Sequence, residues 1–240
     1  MRYEFYYWSG IQGRGEFVRL ALEEAGADYV DVARQPGGEA EMMRLIASEE
    51  VARPSFAPPF LKAETLLIGQ TANILLYLGA HHGLAPQDEA GRLWAHQLQL
   101  TIADVVDEAH DTHHPIASSL YYEDQRAEAR ARGADFRRAR MPKYLGYFEN
   151  ILARNPSGSG HLIGAGLSYP DLSLFQIVAG LRYAFPNRMA ALEPQYARVV
   201  TLHDQVAARP RIAAYLASDR RIAFNEHGIF RHYPELDGTD

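Results

Sequence analysis

The chain has 240 residues, enough for one large domain or two small ones, and 47% of them are hydrophobic, as in an ordinary globular protein. A formal net charge of −6 gives no general attraction for nucleic acid or an anionic membrane. There is no cysteine, which excludes disulfides, thiolate metal sites and any cysteine nucleophile.

Residues 2 to 8 are aromatic and β-prone, with Tyr3, Phe5 and Tyr7 on one face and Glu4, Tyr6 and Trp8 on the other. A glycine-rich loop follows. Phe17, Leu20, Ala21 and Ala25 then recur at helical spacing within Glu16 to Ala25, closed by Gly26, and Tyr29 to Val32 reads as a second strand. Glu39 to Ala47 is predicted as a short helix. Phe60-Leu61-Lys62 and Leu66-Leu67-Ile68 form a predicted hairpin through Ala63-Glu64-Thr65, closing onto Gly69. Thr71 heads a helix carrying Leu75, Leu76 and Leu78, with Gly79 placed to end it. The order β-α-β-α-β-β-α fits a thioredoxin-like layer.

Beyond Gly79 the strand signals stop. His81 to Asp88 reads as a linker, Glu89 to His114 as a long helix ended by Pro115, and Glu123 to Arg154 as another, with a break near Gly133 or Pro142. Asn155 to Gly160 is a loop, after which Ser168 caps a helix with Asp171 three positions on, a folding device. The predicted architecture is therefore α/β plus all-α: a thioredoxin-like domain at 1–80, a helical bundle domain at 89–225 and a tail at 226–240. The N-terminal residues have no apolar signal-like core and no run reaches bilayer length, so the expected location is cytoplasmic, with no membrane partner.

Pro58-Pro59 ahead of the hairpin, followed by Gln70-Thr71, describes a backbone site for one peptide-like ligand. The strand entered through proline offers unpaired backbone groups to an extended peptide. The helix N-terminus offers free N–H groups and a hydroxyl to a carboxylate. Gly10, Gly13 and Gly15 match neither phosphate-loop spacing. The arginines from Arg126 to Arg140 are interleaved with acids, as on a solvated helix face. His110, Asp111, His113 and His114 have the spacing of metal ligands, but also lie where cationic histidines favour a helix C-terminus; no metal is expected.

The Pro58-Pro59 and Gln70-Thr71 pattern resembles the glutathione site of the cytosolic glutathione transferases, where a cis-proline opens the third strand and Gln-Ser or Gln-Thr opens the third helix. Tyr7-Trp8 looks like the Tyr-Trp of the mu class. Gly166 to Asp171 looks like the family's capping motif, and Arg209-Pro210-Arg211-Ile212 with Tyr215-Leu216 matches its late-helix pattern. The matches span nearly the whole chain and place it with the tyrosine-type classes.

The resemblance implies that Tyr7 donates a hydrogen bond to the glutathione thiolate, with Trp8, Pro58, Pro59, Gln70 and Thr71 around the bound peptide. Asp104 would reach the ligand's ammonium from across a homodimer interface. Ser9 is the rival thiolate donor, since the interval from Tyr7 to Arg19 is one residue longer than the family's usual spacing. Pro58 departs from the pattern too, because proline has no N–H to give the cysteinyl part of the ligand. His110, His114 and Tyr121 would border the acceptor pocket, and Arg34 and Arg44 are candidates for the glycyl carboxylate. The implied reaction is conjugation of glutathione, as co-substrate, to a small hydrophobic electrophile, or peroxide reduction; the rival is a fold-retaining binding protein without useful turnover.

Overall fold

A computed structural model describes residues Met1–Asp240. Four strands, β1 (Arg2–Tyr6), β2 (Asp28–Asp31), β3 (Phe60–Ala63) and β4 (Leu66–Gly69), form one sheet in the order β2-β1-β3-β4. β1 runs parallel to β2 and antiparallel to β3, with Phe5 opposite Leu61 and Tyr6 opposite Phe60. The alternation expected of β1 is kept: Tyr3, Phe5 and Tyr7 join the large core, while Tyr6 stacks on Phe60 and packs with Met42 on the other face. Helices α1 (Gly15–Ala25) and α3 (Thr71–His82) pack against each other on the first face, and α2 (Gly38–Ala47) supplies Met42 to the second. The expected element order is observed, and this mixed sheet with its helices is the thioredoxin-like part of the fold.

The α3 boundary differs from expectation. The helix runs on to His82 and ends at Gly83, whose φ of 68° supplies the left-handed cap. Gly79 is instead a close-approach glycine: a Cβ there would fall 2.7 Å from the Tyr169 ring.

The rest is helical: α4 (Glu89–Asp111), α5 (Arg126–Asp135), α6 (Met141–Arg154), α7 (Tyr169–Ala184), α8 (Pro186–Leu192), α9 (Ala197–Ala207) and α10 (Pro210–Leu216). α4 stops at Asp111, short of His114, because the Thr112 hydroxyl and N–H both turn back to the Ala109 carbonyl. A π-helical turn at Phe136–Arg140 interrupts the segment predicted as one helix, immediately before Pro142, which cannot donate to the carbonyl four residues back.

α7 is the central pillar, packed on α1, α4 and α9. Its N-terminus carries the predicted capping box. Asp171, fully buried, accepts from the Ser168 N–H and hydroxyl at 2.7 Å each and from the Leu162 N–H at 2.8 Å. Burial pushes its carboxyl pKa up, and these donors oppose the shift.

A buried polar network joins the sheet layer to the bundle. Glu16, fully buried on α1, accepts from the Tyr215 hydroxyl at 2.7 Å, from Arg221 and from Arg19 at 3.4 Å. Arg19 also donates to Asp31 at 2.7 Å, and Arg221 continues to Gln176, which reaches Gln12 at 2.8 Å.

Residues 217–240 are largely irregular yet packed. Ile229, Phe230 and Leu236 are buried, Tyr233 stacks on Tyr122 at 3.7 Å, and Asp240 pairs with Arg137 and Arg138.

Candidate functional site

Tyr7 stands just past the end of β1 and is only 5% exposed. The Arg14 backbone N–H donates to its hydroxyl oxygen at 2.9 Å, and the Arg14 carbonyl accepts from the Thr71 hydroxyl at 3.3 Å. One peptide segment thus bridges the tyrosine to the first turn of α3. With its acceptor role taken by Arg14, the phenol keeps its proton for a further partner. Burial raises the Tyr7 pKa above the ordinary value of 10, an effect opposed by the Arg14 N–H and by the Arg14 and Arg19 charges, so the group is a protonated donor at neutral pH.

The glycines of the intervening loop have a steric purpose that their spacing did not reveal. A Cβ on Gly13 would lie 2.0 Å from the Tyr7 hydroxyl oxygen, and one on Gly15 would lie 2.5 Å from the ring. Gly13 also has φ +44°. The loop is therefore moulded onto the tyrosine.

Ser9 is differently engaged. Its hydroxyl donates to Glu39 at 2.5 Å and its N–H reaches the same oxygen at 3.2 Å, which holds the Glu39 carboxyl below its usual range. Trp8 is 40% exposed, and Tyr6 donates to Glu4 at 2.6 Å.

The Pro58-Pro59 peptide bond is cis and leads directly into β3, with Pro59 buried and Pro58 half-buried. Across the hairpin, Gln70 adopts φ 68°, one of two non-glycine residues in the left-handed region, immediately before α3. Such a conformation carries strain, and its position at an exposed helix entrance is where strain often serves a binding task. Gln70, Thr71, Ala72 and Asn73 line a cavity of about 390 Å3 facing α4, whose wall carries His96, Gln99, Ala103 and Asp107. Arg14 lies in this wall and pairs with Asp107. Asp104 does not line it in the single chain; it is exposed on the outer surface of α4.

The other candidates are placed elsewhere. Arg34 donates to the carbonyls of Asp219 and Arg220, and Arg44 makes two 2.7 Å bonds to Glu41. His110, His113 and His114 have ring centroids about 5 Å apart, but no group of three His, Asp or Glu side chains here has the geometry to hold a metal ion. Burial lowers His113 to about 2 and His114 to about 4, so both rings are neutral near pH 7. Tyr121 projects into solvent.

Sequence reasoning missed Asp107, Gln99 and the use of the Arg14 backbone. A signal existed for Arg14, since glycine on both sides marks a backbone pressed close to something.

Residues 110–219 match the family model described as the glutathione S-transferase C-terminal domain. Among curated proteins, the chain is 26% identical over 219 residues to glutathione S-transferase P 1 of Xenopus laevis, covering 88% of this chain and 90% of that one. It is 21% identical over 187 residues to a glutathione S-transferase of Plasmodium falciparum, covering 76% and 82%. Among solved structures, a monomeric glutathione S-transferase of the hookworm Necator americanus aligns with TM-score 0.68 and 16% identity over 93% of this chain and all of that one. A pi-class enzyme of Onchocerca volvulus aligns with TM-score 0.68 and 18% identity, covering 90% and 92%. The likeness to glutathione S-transferases thus extends over most of the chain, in sequence and in fold.

Proposed function

We propose that this chain, which carries the C-terminal domain and the whole fold of the glutathione S-transferases, is a tyrosine-type transferase that conjugates glutathione to a small electrophile. The observation that carries the reading is Tyr7, buried, protonated and fixed by the Arg14 N–H, with its donor proton uncommitted among protein partners. An ordinary thiol of pKa about 8.5 is mostly protonated at neutral pH. A phenolic hydrogen bond to sulfur stabilises the anion. The thiolate then attacks carbon: the C–S bond forms, the bond to the leaving group breaks, and the leaving group departs with that electron pair. Ser9 is a poorer donor because its proton is already given to Glu39.

The remaining residues fit a peptide held by backbone groups. Pro58 contributes its carbonyl only, the strand behind Pro59 presents the cysteinyl part, and the α3 entrance at Gln70 and Thr71 receives the γ-glutamyl carboxylate. Asp104, exposed on α4, suits a cross-subunit contact to the ammonium in a homodimer. Steady-state conjugation with glutathione tests the reading. Catalysed turnover that depends on Tyr7 supports it, and glutathione binding without turnover favours a carrier, the reading that the missing Pro58 N–H favours.

A further inference from the structure

A carboxylate received at the α3 entrance fixes where the rest of the γ-glutamyl end must go. Its α-ammonium is bonded to the same carbon as its α-carboxylate. A carboxylate held by the free N–H groups at Gln70 and Thr71 therefore brings a full positive charge into the cavity of about 390 Å3 between α3 and α4. A cation taken out of water is costly unless acceptors, and best a carboxylate, surround it.

Asp107 is the only acid that lines this cavity, and Arg14 is its only arginine or lysine. The two are paired, and Arg14 ties the pair to the site. Its N–H donates to the Tyr7 hydroxyl at 2.9 Å and its carbonyl accepts from the Thr71 hydroxyl at 3.3 Å. The Arg14 guanidinium takes Asp107 Oδ1, which leaves Oδ2 for a second donor. The Asp107 side chain is 65% exposed, so the pair adds little to folding stability while the carboxylate stays open to a ligand. One cation beside one anion is also the complement of a zwitterion.

Gln99, about two turns earlier on α4, lines the same cavity. It is 2% exposed, and its Oε1 has no hydrogen-bond partner within the chain. An unpartnered buried amide oxygen is costly, and a donor reaching it from the cavity removes that cost. A half-turn of the near-symmetric amide presents the oxygen to such a donor.

We infer that Asp107 and Gln99 bind the α-ammonium of the γ-glutamyl end from within the same chain, so that each chain recognises the whole α-amino-acid group by itself. The inference rests on the reading of a glutathione site at Gln70 and Thr71. An ammonium has three N–H donors, so a contact from Asp104 of a neighbouring chain adds to these two and replaces neither.

The test compares, by titration calorimetry, the dissociation constants of glutathione and of glutaryl-cysteinyl-glycine, which keeps the carboxylate and lacks the ammonium. Native protein is expected to bind glutathione about tenfold or more tighter than the analogue. Asp107→Asn, which keeps a side-chain oxygen for Arg14 and so a near-native melting temperature, is expected to narrow that preference by at least about fivefold, and Gln99→Met by about threefold. Both peptides are measured on each protein, so a general loosening of the cavity cancels from the ratio. A preference that changes by less than about twofold in Asp107→Asn overturns the inference, and the same constancy in Gln99→Met removes Gln99 from it. Loss of the preference in Asp104→Asn, with Asp107→Asn like native, also overturns it and assigns the ammonium to a neighbouring chain. If native protein binds neither peptide, the glutathione reading falls and the inference falls with it.

Discussion

The Arg14 N–H holds the Tyr7 hydroxyl oxygen at 2.9 Å, so the strength and direction of the Tyr7 donor depend on a backbone group rather than on a neighbouring side chain. Donation into the phenol oxygen polarises its O–H and leaves the proton pointing away from Arg14. Tyr7→Phe is expected to lower kcat for conjugation by about a hundredfold or more while glutathione affinity changes little, because the lost interaction is made to the developing charge. Ser9→Ala, whose hydroxyl serves Glu39, is expected to stay within about threefold of native. The reverse ranking in steady-state assays with both variants moves the donor to Ser9.

The loop glycines predict a graded response. Gly15→Ala puts a methyl group 2.5 Å from the Tyr7 ring and is expected to destabilise by about 1–3 kcal/mol and to depress conjugation. Gly10→Ala meets nothing within 4 Å and is expected to change stability by no more than about 0.5 kcal/mol. Urea unfolding of both proteins checks the contrast, and equal effects would show that the loop is not moulded on Tyr7.

Much of this was legible in advance. Period-two alternation placed Tyr3, Phe5 and Tyr7 on one face, turn chemistry found the hairpin, and Ser168 with Asp171 announced α7. Boundaries were misread where one residue type serves two purposes. Gly79 was taken for a helix stop and is a contact for Tyr169, while the stop falls at Gly83; only the fold distinguishes them. The left-handed conformation of Gln70 was not readable, since its side chain does not require it. Nor was the α4 wall of the cavity, because Gln99 and Asp107 come to line one cavity with Gln70 and Arg14 only through tertiary packing.

The network between the two layers gives a stability prediction. Glu16 and the Arg19 side chain are essentially inaccessible to water, and Glu16 receives Tyr215, Arg221 and Arg19. Glu16→Ala removes the carboxylate paired with Arg221, leaving it Gln176, and leaves Arg19 with Asp31 as its remaining carboxylate, and it is expected to cost about 3–5 kcal/mol in chemical unfolding. A cost below about 1 kcal/mol would mean that the arginines find other partners or water.

Asp104 yields a prediction about assembly. If it serves a neighbouring chain, Asp104→Asn weakens glutathione binding without altering the acceptor's apparent affinity. Mixing Tyr7→Phe chains with Asp104→Asn chains then restores activity, since a mixed dimer contains one site with both residues intact. A monomer in sedimentation at working concentration, or no gain after proven exchange, removes Asp104 from the site.

The central claim is that the Tyr7 proton stabilises the glutathione thiolate, and the most direct measurement is the pKa of the bound thiol, read from thiolate absorbance across pH in native protein and in Tyr7→Phe. Burial raises the Tyr7 pKa above its ordinary value, so the phenol remains a donor across the range in which the thiol titrates. Stabilising the thiolate lowers the thiol pKa, so the native complex is expected to titrate at least about one unit below the free value of about 8.5, and the Tyr7→Phe complex close to it. The same thiol pKa in both complexes, with glutathione bound equally well, would contradict the account.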